Sequence, residues 1–257
     1  YRGFDVVTMG PPSSGGIHLI QMLNILENHD LKAFGHNNPR YVSLLTEVMK
    51  YAYADRSEYL GDPDFYKVPV DELTSKEYSK AINQKLKLFK FMTPPPTPSS
   101  SIEPGEYMRK ESIETTHYSI ADQYGNIISN TYTLNSSYGS GVTIEGTGIL
   151  MNNEMDDFSA SPGTPNQFGL LGGEANKIVP EKRPLSSMTP TIILKDGIPY
   201  FATGTPGGSR IITTVLQSIL NIIDFNFEVS DAILKPRIHH QWLSLIHISE
   251  PTRLAEI

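Results

Sequence analysis

The sequence has no cysteine, one tryptophan and no apolar run long enough to span a membrane. Without cysteine there are no disulfides, no thiolate nucleophile and no cysteine-based metal site; such usage suits an extracytoplasmic protein. Residues 1–20 lack the basic n-region and apolar core of a signal peptide. The chain opens on Tyr1-Arg2-Gly3 as if inside a strand, so any targeting segment is expected upstream. Cations are in deficit, with 21 Lys and Arg against 28 Asp and Glu, a formal net charge of -7. That argues against a nucleic-acid or anionic-membrane partner, but a locally cationic site can still take an anionic small substrate. Several catalytic spacings are also missing. There is no Gly-x-Ser-x-Gly elbow, Pro11–Gly16 fits neither phosphate-loop spacing, and Asp62 and Asp64 lack the ligand spacing of a calcium loop. Adjacent His239 and His240 have the wrong geometry for a metal pair and read as structural.

What is present is a globular composition, 39% hydrophobic and 19% charged over 257 residues, enough to bury a sizeable core. Residues 3–9 read as a strand. Pro11-Pro12-Ser13-Ser14-Gly15-Gly16 is a tight turn into a buried helix, capped by Ser13 or Ser14. Asn38-Pro39 starts a helix that runs to about Tyr59. The Asp55, Arg56 and Glu58 cluster at its end reads as an ion-pair network and a candidate site wall. A third helix covers about Ser75–Phe89, and the Pro/Ser-rich stretch 93–105 is an exposed linker. From Thr115 the period changes to two: a strand, a turn at Tyr124-Gly125-Asn126, and a return strand over Ile127–Leu134. A short strand over Gly148–Met151, a polar turn over Asn152–Asp157 and a long Pro/Gly loop over Ser161–Gly173 follow. Thr191–Lys195 and Pro199–Thr203 flank an Asp196-Gly197 hairpin turn. Gly204–Ser209 opens a wide-faced apolar helix, and Ser230 caps a last short helix ending at Leu234.

The chemistry centres on Thr115. By itself it is either a strand start, where Thr is favoured, or a cleavage point that makes it a new N-terminus carrying its own base. Gly207 and Gly208 at a helix N-terminus are either a bare glycine turn or the free N–H groups of an oxyanion hole. Thr133 and Asn135 alternate onto one strand face and are site-lining or ordinary strand polars. Ser186 and Ser187 hold a carboxylate or form a loop, and Asp157 in its turn reads as solvated.

Taken together, the stretches PPSSGG (11–16), YAYADRSEYLGDPD (51–64), TTHYS (115–119), TYTLN (131–135), NNEMDDFS (152–159), RPLSSMTP (183–190) and GTPGGSRI (204–211) resemble the γ-glutamyltransferase family in family order. The resemblance implies an α+β fold, the N-terminal-nucleophile hydrolase αββα sandwich, incomplete in this chain. It also implies autocatalytic cleavage between Glu114 and Thr115. Residues 1–114 would then be the C-terminal part of a large subunit and 115–242 most of a small one. By resemblance Thr115 is the nucleophile, Thr133 supports it, and the Gly207 and Gly208 N–H groups hold the oxyanion. Asn135, Glu154 and Asp157 bind a substrate α-ammonium, and Ser186 and Ser187 bind its α-carboxylate. The donor would be glutathione or another γ-glutamyl amide, and the acceptor water, an amino acid or a peptide. No cofactor and no metal is implied, and the setting would be periplasmic or secreted. Residues 162–173 match a lid loop. Phe168 stands where bacterial members often carry Tyr, so it cannot hydrogen-bond Asn135 from there. Two departures accompany the match: an upstream Arg for the α-carboxylate is not in this chain, and 243–257 read as a non-native tail, outside the fold. The competing readings are an acylase or poly-γ-glutamate transpeptidase on the same fold, and a non-catalytic module.

Overall fold

The computed structural model describes residues 1–88, 114–242 and 247–249. In chain order the elements are β1 (Phe4–Thr8), α1 (Gly15–Leu26), α2 (Leu31–Phe34), α3 (Pro39–Tyr59), α4 (Val70–Leu73), α5 (Lys76–Leu88), β2 (Thr116–Ala121) and β3 (Ile127–Tyr132). They continue with β4 (Thr191–Lys195), β5 (Ile198–Thr203), α6 (Ile211–Ile223), α7 (Val229–Leu234), β6 (Arg237–His239) and β7 (His247–Ser249).

Three layers position the site. Strands β1, β4 and β5 form an antiparallel sheet in the order β1-β4-β5. A helical layer covers one face, with α1 at its centre against α3, α5 and α6. Leu19, Met22, Leu23, Ile25 and Leu26 of α1 are buried on every side, and Ile212, Leu216 and Ile219 of α6 meet them. Truncating one such side chain to Ala costs about 2–5 kcal/mol. The β2–β3 hairpin stacks against the other face of the sheet. Ser129 joins the two layers: its hydroxyl donates to the Thr203 carbonyl and accepts from the Thr191 N–H. The outward side chains of the hairpin, Tyr118, Ile120, Ile128 and Tyr132, are exposed. Among the described residues no helix is long and apolar enough to cross a membrane.

Most elements follow their local signals. Asn38 accepts from the Arg40 N–H, with Pro39 at the first helical position. Asp196 and Gly197 take positive φ in the β4–β5 turn, as a two-residue hairpin requires. The start of α1 is sharper than a generic turn. A Cβ at Gly15 would fall 2.5 Å from the Met188 carbonyl oxygen, so only glycine lets this helix meet the 186–189 segment. At that turn Ser13 Oγ accepts from the Gly15 N–H, whereas Ser14 makes no cap bond.

The structure corrects four expectations. Residues 148–151 form no strand: Leu150 makes an isolated bridge with Thr143, because the tight turn over 144–149 leaves only a short stretch to pair before the chain leaves it. Ser230 lies inside α7; the cap position is Glu228, and its side chain makes no cap bond. β3 ends at Tyr132, so Thr133 and Asn135 lie beyond the strand, with Asn135 at φ 75°. The Asp55, Arg56 and Glu58 cluster is not an ion-pair network: Asp55 accepts from Gln21 and Tyr78, and Arg56 bonds neutral oxygens. The two short helices α2 and α4 were not expected from the sequence. The linker expected over 93–105 lies outside the described residues. Within the 243–257 tail, β7 pairs antiparallel with β6.

Candidate active site

The segment entering β2 brings Thr115 to the end of the hairpin. Its Oγ lies 2.5 Å from the carbonyl oxygen of Glu114 and 3.3 Å from Thr133 Oγ1. Thr133 Oγ1 is also 3.3 Å from that carbonyl oxygen, and it accepts the Asn135 N–H at 2.9 Å. Two hydroxyls therefore converge on one peptide carbonyl. The Glu114 carboxylate is caught by the N–H and hydroxyl of Ser137, which fixes the residue before Thr115.

Six short stretches of chain close a cavity of about 30 Å³ around this point. Its walls include Thr115, Thr133, Asn135, Asp157, Ser186, Ser187 and Gly208, all singled out in the sequence, together with Phe168, Met188 and Ile211. Gly207 adjoins it at φ 130° and Gly208 follows at φ 54°, leading into a 3-10 turn over Gly208–Arg210 ahead of α6. Glu154 is not among the lining residues, although it is close enough to act electrostatically on Asp157. A wider cleft of about 530 Å³, lined by Arg2, Glu27, His29 and Asp224, holds none of the motif residues. Arg2 is engaged there, its side chain with Asp224 and its backbone N–H with the Glu27 carboxylate.

Among the described residues both hydroxyls of the Ser186-Ser187 segment accept and neither donates. Ser186 Oγ accepts from the Met188 N–H at 3.0 Å, and Ser187 Oγ accepts from Arg56 Nη2 at 3.3 Å. An oxygen that already accepts is set to donate its own proton, which equips this wall of the cavity to receive an acceptor group. Asp62 staples the same segment from below. It is fully buried and takes three hydrogen bonds from Arg183, which hold its carboxyl far below the usual carboxylate range.

Asp157 corrects the solvated reading. It ends a 3-10 turn over Glu154–Asp157, and its carbonyl accepts from Asn176 Nδ2 at 2.7 Å. Burial pushes its carboxyl up to about 7. Arg56 pulls it down, while Glu154 and Asp156 push it further up. Burial also raises Glu154 and lowers His117.

The 161–173 loop lies over the cavity. Gln241 Nε2 donates to the Phe168 carbonyl, and Asp156 accepts from the Gln167 N–H. The Phe168 ring rests on Gly208, where a Cβ would meet it at 2.7 Å. Sequence reasoning placed Arg56 in an ion-pair network at a candidate site wall and assigned no role to Met188 and Ile211. The acidic neighbours of Arg56 suggested carboxylate partners it does not have among the described residues, and the two apolar residues carry no local signal. His239 and His240 are buried; His239 bonds Thr213 and its ring meets Tyr53 edge-on.

Residues 1–255 match the sequence profile of the Gamma-glutamyltranspeptidase family. The chain is 55% identical over 243 residues to the glutathione hydrolase proenzyme of Escherichia coli K12, covering 95% of this chain and 41% of that protein. Among solved structures, it is similar to the T380A mutant of Helicobacter pylori γ-glutamyltranspeptidase at 59% identity. The TM-score is 0.51, with 52% of this chain and 72% of that chain covered. A cephalosporin acylase from Bacillus halodurans matches 93% of this chain and 39% of its own, at 26% identity and a TM-score of 0.71. These neighbours have the N-terminal-nucleophile hydrolase fold, and the helix–sheet–hairpin layers described above are part of it.

Proposed function

This chain belongs to the γ-glutamyltranspeptidase family, and from that premise we propose that it carries the nucleophile and donor pocket of a γ-glutamyl hydrolase and transferase that matures by cutting itself between Glu114 and Thr115. The observation that carries the reading is the convergence of Thr115 Oγ and Thr133 Oγ1 on the Glu114 carbonyl oxygen, beside a cavity lined by the matching substrate residues.

In the maturation step Thr115 Oγ adds to the Glu114 carbonyl carbon. The Glu114–Thr115 C–N bond breaks as an ester forms on Oγ. Water then hydrolyses the ester, leaving a carboxylate on Glu114 and a free α-amine on Thr115. An α-amine titrates at about 7.7–8.0, which suits a general base near neutral pH. That amine takes the Oγ proton as Oγ attacks the δ-carbonyl of a γ-glutamyl amide and passes it to the departing amine. The Gly207 and Gly208 N–H groups receive the developing oxyanion. Water or an acceptor amine then takes the glutamyl group from Thr115.

Donor selection follows from charge. The α-carboxylate meets the Ser186 and Ser187 hydroxyls, and the α-ammonium meets Asn135, Glu154 and Asp157, because ionised partners make the stronger hydrogen bonds. A cavity of about 30 Å³ holds about two waters, so the donor enters as the cut Glu114 end leaves and the Phe168 loop swings away. The chain spans 41% of the length of the E. coli relative. On this reading residues 1–114 belong to a large subunit and 115–242 make up most of a small one. An extracytoplasmic setting agrees with the absence of cysteine.

The test is mass spectrometry of the chain extended to its relatives' length, with a γ-glutamyl anilide assay beside it. The reading requires release of a polypeptide beginning at Thr115, lost together with anilide cleavage in Thr115→Ala. An uncut, inactive parent refutes it. The acylase likeness gives a second reading, and preferential cleavage of a glutaryl amide, which lacks the α-ammonium, would favour it.

A further inference from the structure

We propose that Arg56 is a positioning residue of the donor pocket, fixing Ser186 and Ser187 from beneath and standing as the cation that faces Asp157. The inference rests on the donor-pocket reading given above and assigns a role to a residue outside the cavity wall.

Arg56 lies in the last turn of α3 and is only 4% exposed. A buried guanidinium is costly unless it is paired. Yet among the described residues no carboxylate forms an ion pair with it. Its bonds go to neutral oxygens. Nε donates to Ser14 Oγ at 3.1 Å, and Nη2 donates to Ser187 Oγ at 3.3 Å. Ser14 passes the constraint on: its hydroxyl and its N–H both donate to the Ser186 carbonyl at 2.8 Å. One guanidinium thus fixes the Ser187 hydroxyl directly and the Ser186 backbone through one relay. Because Ser187 Oγ accepts from a cation, its own proton is polarised and turned toward an incoming carboxylate.

The charge has a second use. Arg56 and Asp157 line a common narrow cavity of about 10 Å³, close to the least that holds one water. The other charged groups acting on Asp157, Glu154 and Asp156, are acidic and oppose its ionisation; Arg56 favours it. Arg56 therefore serves both ends of an α-amino acid. It aims a hydroxyl at the carboxylate and helps keep an anion available for the ammonium.

Two variants in the full-length protein separate these effects from stability. Arg56→Gln keeps a hydrogen-bond donor and removes the charge; Arg56→Lys keeps the charge and removes the fork. In Arg56→Gln the ¹³C carboxyl titration of Asp157, assigned with Asp157→Asn, is expected to move up by about one pH unit or more. KM for a γ-glutamyl anilide is expected to rise about tenfold with kcat changed far less. Arg56→Lys is expected to leave the Asp157 titration near the parent's while still raising KM. A parent-like Asp157 titration and KM in Arg56→Gln would overturn the proposal, as would a parent-like KM in Arg56→Lys should the Gln variant not fold. A parent that titrates as expected but cleaves no γ-glutamyl anilide defeats the functional reading alone, and the carboxyl titration still decides whether Arg56 acts on Asp157.

Discussion

Asp157 gives the most demanding prediction. Its carboxyl titrates at about 7 because the protein has taken it out of water faster than Arg56 can compensate. In the proposed donor pocket an ammonium binds the ionised form, so at low pH the donor must first drive off a proton. Each pH unit below 7 then costs about a factor of ten in kcat/KM. From a plateau near pH 8.5 to pH 5.5, one and a half units below that point, kcat/KM for a γ-glutamyl anilide is expected to fall about thirtyfold through this group alone. In the proposed cut enzyme a Thr115 α-amine with the ordinary value of about 7.7–8.0 would titrate nearby, but the two are separable. On that proposal a bound donor's ammonium holds Asp157 ionised, so Asp157 is expected in kcat/KM and not in kcat, whereas the amine is expected in both. Asp157→Asn should have a low kcat/KM that lacks the Asp157 limb. A glutaryl anilide should lack that limb even in the parent. The reasoning is refuted if the parent's kcat/KM shows no limb beyond that in kcat, or if Asp157→Asn keeps it.

Two further predictions concern the supports of the site. Tyr53 donates to the Ser209 carbonyl at 2.6 Å, next to the two glycines; Tyr53→Phe leaves that buried acceptor unmet, so a loss of about 1–3 kcal/mol in urea unfolding and a lower kcat are expected. Unchanged kcat would mean the glycine turn holds itself. Asp62→Asn should lower the urea midpoint at neutral pH, with parent and variant converging as pH falls below about 4. The sign follows from Arg183, which depresses the folded-state pKa: the stabilisation is present above the unfolded value and lost as pH falls through the folded one. A gap that widens on acidification would contradict it.

The sequence by itself determined the local elements and the list of chemical parts. Asn38-Pro39 determined where α3 starts, Asp196-Gly197 the β4–β5 turn, and the family resemblance named seven of the cavity-lining residues as candidate site residues. Capping, turn geometry and period are short-range effects, which is why they were legible. Only the tertiary structure decided which roles those parts can play. Thr133 and Asn135 reach the cavity from beyond the strand end, not from a shared strand face. Asp157 and Arg56 look in sequence like solvated or paired charges. Their burial, the raised carboxyl and the Ser14–Ser186–Ser187 connections depend on α1, α3 and the 183–190 segment meeting across more than a hundred residues of chain. The desolvation and charge coupling that set these properties come from neighbours in space, and local sequence does not record them.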